Sequence, residues 1–198
     1  MKGDGSMKKR IAALLVLLTA ALGFQALAGE QMYTASLLGR EFFRITYDDS
    51  VWIFDDENYQ EESSDMFYWL FDLYNEEYIV ICSVEFMPDY EDFSAYLADE
   101  EDVLSYAKDV ESAFSEYDCV YNEICTYEVA NGRKNASLPF LVFTMYDAKD
   151  GKSVYMETVT HGYALGFHIY ESEVKPEISH DDMQMVLDEL VRTISPIE

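Results

Sequence analysis

The chain has 198 residues, and its 39 Asp and Glu outnumber 13 Lys and Arg, leaving a formal net charge of -26. Duplex nucleic acid and anionic membrane surfaces are excluded as partners, because both are bound through Lys and Arg that displace counterions. Disorder is excluded too: 49% of the residues are hydrophobic and 15% aromatic, enough for one domain with a substantial core.

The N-terminal segment has the three regions of a secretory signal peptide. Lys8, Lys9 and Arg10 form a basic start, Ile11 to Phe24 is an apolar run interrupted by Thr19 and Gly23, and Ala26-Leu27-Ala28 places small residues where a signal peptidase reads. Cleavage is expected after Ala28. The apolar run is short for a membrane span, which needs about 20 residues. No cysteine stands near the cleavage point, so a lipid anchor is not expected. Residues 29–198 keep 9 basic and 38 acidic residues, a net charge of -29. The expected product is a secreted or cell-envelope protein, with no transmembrane helix after cleavage.

Residues 29–40 are expected to be a short linker, and 41–198 a single domain. Glu41 to Tyr47 and Ser50 to Phe54 are predicted as short strands with Asp48-Asp49 turning between them. Asp55 to Asp65 is acidic, nearly without apolar residues, and predicted as a solvated loop. Met66 to Tyr74 and Glu77 to Met87 predict two strands around Asn75-Glu76. The second, with YIVICSVEF, is apolar on both faces and therefore central in a sheet.

Helical spacing follows. Pro88-Asp89 is a helix start, with Tyr90, Phe93, Tyr96 and Leu97 on one side. Val103, Tyr106, Ala107, Val110, Ala113, Phe114 and Tyr117 continue an amphipathic helix over about 101–116. Cys119 to Val129, Leu138 to Tyr146, Ser153 to Thr160 and Tyr163 to Tyr170 then predict a four-strand meander, turning at Asn131-Gly132, Asp150-Gly151 and His161-Gly162. A last helix is capped by Ser179, with Asp182 three residues on, and carries Met183, Val186, Leu187, Leu190, Val191 and Ile194 as one stripe until Pro196 stops it. The fold class is α+β: an antiparallel sheet of about six to seven strands with helices packed on it.

A first strand reading FFRITYDDSVW, a mid-chain helix, the run NGRKNASLPFLVFTMYDAKDGKSVYMETVTHGYALGFHIYESE and a last helix ending LDELVRTISP resemble the PsbP-like superfamily from about Glu41 to Pro196. The resemblance implies an α/β/α sandwich around an antiparallel sheet. Members similar to this chain serve as lumenal photosystem subunits, Ran-binding factors and bacterial envelope proteins, mostly as noncatalytic binding or assembly modules. They share no catalytic residues that would transfer here.

The residues themselves carry no nucleophile elbow, phosphate-binding Gly loop or His-Glu-x-x-His pair. His161, His168 and His180 fall in a turn, a strand and a helix start, with His168 opposite Tyr155 across the last hairpin, which does not suit a shared zinc. Cys82, Cys119 and Cys125 read as free thiols. Cys119 and Cys125 would pair only if Asn122-Glu123 turned, since a straight strand separates them by about 20 Å. The expected function is an exported noncatalytic binding or assembly module with a protein partner, held either through basic groups that suit the acidic surface or through an apolar interface. The candidate binding loop is Asp55, Asp56, Glu57, Tyr59, Glu61 and Glu62, whose oxygens also suit calcium. Two alternatives stand beside it: a carbohydrate-binding or hydrolytic protein using carboxylates and exposed aromatics, and a calcium-binding envelope protein. A cleft with carboxyls flanked by aromatics would favour the first alternative, and a flat acid-rimmed patch the leading reading.

Overall fold

Alternating apolar side chains place most of the strands in the computed structural model, which describes residues 29–37, 40–56, 67–87, 100–131, 134–148, 151–160, 162–172 and 178–196. In chain order these are β1 (Glu30–Leu37), β2 (Arg40–Asp48), β3 (Ile53–Asp55), β4 (Phe67–Tyr74), β5 (Tyr78–Phe86) and α1 (Glu100–Ala113). A short 3-10 turn at Ser115–Tyr117 leads into β6 (Val120–Asn131), β7 (Lys134–Asp147), β8 (Gly151–Thr160) and β9 (Tyr163–Glu171). The helix α2 (His180–Val191) and the two-residue β10 (Ser195–Pro196) close the chain.

Seven strands form one sheet in the order β3-β4-β5-β9-β8-β7-β6, and β1, β2 and β10 form a second. Every pairing is antiparallel. The four-strand meander is as expected, and His168 sits opposite Tyr155. β5, apolar on both faces, lies between β4 and β9 in the interior of the sheet.

Because strand side chains alternate in direction, each face of the large sheet gathers its own core. Val154 and Met156 of β8 join a cluster with Phe43 and Ile45 of β2 and Met183, Leu187 and Leu190 of α2. Tyr155 and Val159 face the other way and pack with Val103, Tyr106, Ala107 and Val110 of α1. The layers are therefore α1, the large sheet, and a third layer made by α2 and the small sheet. At the start of α2, the Ser179 hydroxyl accepts from the Asp182 amide at 3.1 Å, as a cap should. Among the described residues, no helix is long and apolar enough to cross a membrane.

Two expectations need correction. The segment expected as a linker contains β1, which pairs along β2 from Glu30↔Asp48 to Leu37↔Arg40 and buries Ala35 completely. Its inward-facing residues include small Ala35, so its apolar signal is weak. The expected hairpin between 41–47 and 50–54 does not form either: the Val51 and Trp52 amides both bond back to the Asp48 carbonyl, at 3.0 and 2.9 Å. The chain thereby crosses from the small sheet to the large one, where β3 pairs with β4. This crossing buries Phe54 against Phe71, with ring centroids 5.4 Å apart.

Cys119 and Cys125 are both free, since β6 runs on without a turn between 120 and 131. The Tyr90 to Leu97 helix start lies outside the described residues.

Candidate functional site

The crossing from one sheet to the other leaves a cleft of about 310 Å³ between three elements. One wall is the end of β2 and the turn after it, with Tyr47, Asp48, Val51 and Trp52; the second is the β4–β5 turn, with Asn75, Glu77 and Tyr78; the third is the last half of α2, with Val186, Glu189 and Leu190. The lining thus combines three aromatic rings with three carboxyl groups. Among the described lining residues there is no lysine or arginine.

Each wall is fixed by a local hydrogen-bond device. Asp48 folds the first turn by accepting from the Ser50 amide at 2.9 Å and the Ser50 hydroxyl at 2.6 Å. Those bonds, the hydroxyl first, hold the exposed Asp48 carboxyl below the usual carboxylate range. Asn75 does the same for the second turn, its side-chain oxygen accepting from the Glu77 and Tyr78 amides at 2.8 and 2.9 Å. Thr193 ties the third wall to the first: its hydroxyl donates to the Leu190 carbonyl at 2.7 Å and accepts from the Thr46 amide at 3.1 Å.

The rings are anchored from behind. Tyr47 stacks on Phe54 with centroids 5.3 Å apart and planes 11° from parallel, and Phe54 continues into the buried Phe71. Trp52, Tyr78 and Val186 are likewise half-buried against the same core. Partial burial leaves part of each surface toward the cleft while the rest is held in place. Burial, then the charges of Asp49 and Asp56, push the Tyr47 phenol upward, so it stays neutral. The field of the cleft is negative. Three carboxyl groups line it, with no lysine or arginine among the described lining residues to offset them.

The other face of the large sheet holds a separate polar cluster. Glu157 is 5% exposed, and its two oxygens accept from the Tyr106 and Tyr155 hydroxyls. Burial pushes this carboxyl upward, against the opposing effect of those two bonds. Beside it, His168 shares hydrogen bonds with the Ser153 hydroxyl at 2.9 Å and the Tyr170 hydroxyl at 2.6 Å, and burial holds the imidazole down to about 3. The cluster ties α1 to the sheet and contributes no residue to the cleft. The thiols are not primed for attack: burial pushes Cys119 up to about 12, and Cys82 well above its ordinary value.

Of the candidate loop, Asp55 ends β3 opposite Asp72, and Asp56 follows it, exposed. Glu57, Tyr59, Glu61 and Glu62 lie outside the described residues. Asp56 stands near enough to Tyr33 and Tyr47 to raise both phenols, after burial, with Tyr33 pushed up to about 12. Among the described residues, no three His, Cys, Asp or Glu side chains are gathered as a metal ion would require. Sequence reasoning missed Trp52, Tyr78 and Glu189, which come from three distant segments. The excess of tyrosine and acid was the available signal, and it named no position.

No protein-family model matches the chain, and no curated protein matches it in sequence. Among solved structures it is similar to the solution structure of cyanobacterial PsbP (CyanoP) from Synechocystis sp. PCC 6803, with a TM-score of 0.52 at 14% identity. The match covers 87% of this chain and 95% of that one. With its antiparallel sheet between helical layers and this match over most of its length, the chain has the PsbP-like fold.

Proposed function

We propose that the protein is an exported, noncatalytic binding module that takes a basic segment of a protein partner into the cleft between Trp52, Tyr78 and Glu189. The observation that carries this reading is the lining itself: three rings and three carboxyl groups with no basic side chain among the described lining residues. A Lys or Arg side chain fits that chemistry. Its charge is attracted by ring faces, worth about 0.5 to 2 kcal/mol per contact, and by the carboxylates.

Hydrolysis fits less well, although a cleft is present. A glycosidase needs one carboxyl kept protonated as a general acid. Asp48 is shifted the opposite way, and the carboxyl that burial raises, Glu157, stands on the far face of the sheet. Carbohydrate binding without hydrolysis is separated from the proposal by charge.

The test is a titration of isotope-labelled protein with a lysine-rich peptide, followed by amide and indole chemical shifts. Shifts concentrated at Tyr47, Trp52, Tyr78 and Glu189, and absent with a neutral oligosaccharide, are expected. Shifts spread evenly over the acidic surface, or a response to the sugar instead, would sink the proposal.

A further inference from the structure

The turn that forms the first wall of the cleft is also bonded to Gly29, the residue that leader removal after Ala28 would make the new N terminus. The Gly29 backbone nitrogen donates to one oxygen of Asp49, and the Asp49 amide donates back to the Gly29 carbonyl at 3.1 Å. The other Asp49 oxygen accepts from the Gln31 side-chain amide at 2.8 Å. Among the described residues, no lysine or arginine is paired with Asp49. A half-buried carboxylate in a chain with a net charge of -26 is thus held, among the described residues, by neutral donors. One of them is the nitrogen that processing would charge.

We propose that processing between Ala28 and Gly29 creates a latch: the new ammonium of Gly29 forms an ion pair with Asp49 and locks the 48–52 turn. Hydrolysis of that peptide bond takes up one water, leaves the carboxyl group on Ala28 and the amine on Gly29, and the amine takes a proton at neutral pH. The nitrogen already lies on the carboxylate, so the change replaces a neutral hydrogen bond with a charge-assisted one at the same position. Two independent observations meet at this bond: the small-residue pattern of the leader, and a strand ladder that reaches back to Gly29. The inference rests on the leader reading. It deepens the proposed function by adding a charged bond to the cleft wall in the exported form.

The test uses whole protein in four forms: chain starting at Gly29 or at two added residues, each with Asp49 or with Asp49→Asn. The extension keeps the Gly29 amide and moves the charge away. The extended chain should melt about 2 to 4 °C lower than the chain starting at Gly29, a shift typical for one charged pair in a domain of this size. In Asp49→Asn, which keeps an acceptor, the extension should make no difference. Equal melting of the two Asp49 forms, or an extension effect that survives in Asp49→Asn, would overturn the latch. Intact mass of protein exported from a bacterial host tests the processing half separately: a start at Gly29 supports it, and any other start overturns it. Neither readout depends on peptide binding, so a failed titration of the cleft and a failed latch are distinguishable.

Discussion

Trp52 lines the cleft, and no pattern in the sequence sets it apart from Trp69, which is 40% exposed on β4. What distinguishes it is the Asp48 turn, whose carbonyl accepts from the Trp52 amide and sets the residue in the cleft lining, half-buried against the core. Single residues elsewhere have equally local consequences. Gly166 lies opposite Glu157, and a methyl group there would stand 2.5 Å from the Tyr155 hydroxyl and 2.8 Å from its ring. Tyr155 cannot swing aside without releasing Glu157. Gly166→Ala should therefore cost about 1 to 3 kcal/mol, visible as a lower urea midpoint. His168 governs the acid side of the stability curve. Its imidazole titrates near 6.5 when unfolded and near 3 when folded, so its full contribution is present above about 6.5 and is lost as pH falls toward 3. At pH 5 the loss should be about 2 kcal/mol relative to pH 7.5, and His168→Gln should flatten that part of the curve. Glu157, with its carboxyl raised, acts in the opposite sense, losing stability as pH rises above the ordinary carboxylate range, so the difference between wild type and His168→Gln isolates the histidine.

Elements were legible where period and punctuation agreed. The β6 to β9 meander followed from doubly apolar strands and Gly-containing turns, and α2 from its cap and stripe. Replacing that cap, Ser179→Ala, should lower stability by about 1 kcal/mol, measured by thermal melting, while leaving the cleft wall at Glu189 in place. Strand β1 and the pairing of β3 were not legible, for different reasons. β1 has few large inward side chains, and its existence depends on β2 being available to pair. β3 has a strand-like sequence, but its partner was decided by Phe54 seeking Phe71, a contact between segments that sequence distance hides. The cleft arises from that same crossing, so a misread β3 and an unseen site have one cause.

For the whole molecule, the excess of acid reads first as exclusion and then, once the fold is known, as a field around one particular cleft. Among the described residues, most carboxylates are exposed or half-buried, and Glu157 is the buried exception. Three converge with aromatic rings where α2 ends. If that convergence selects a basic partner, affinity should fall as salt screens the charges, with a remainder held by the rings. The most direct test is calorimetric titration of the chain starting at Gly29 with a lysine-rich peptide, comparing wild type with Trp52→Ala and Glu189→Gln at about 50 and 300 mM salt. Binding by wild type that weakens with salt and drops about tenfold in Trp52→Ala, with a smaller loss in Glu189→Gln, is the expected result. Equal affinity in all three proteins would contradict a basic-segment site in this cleft.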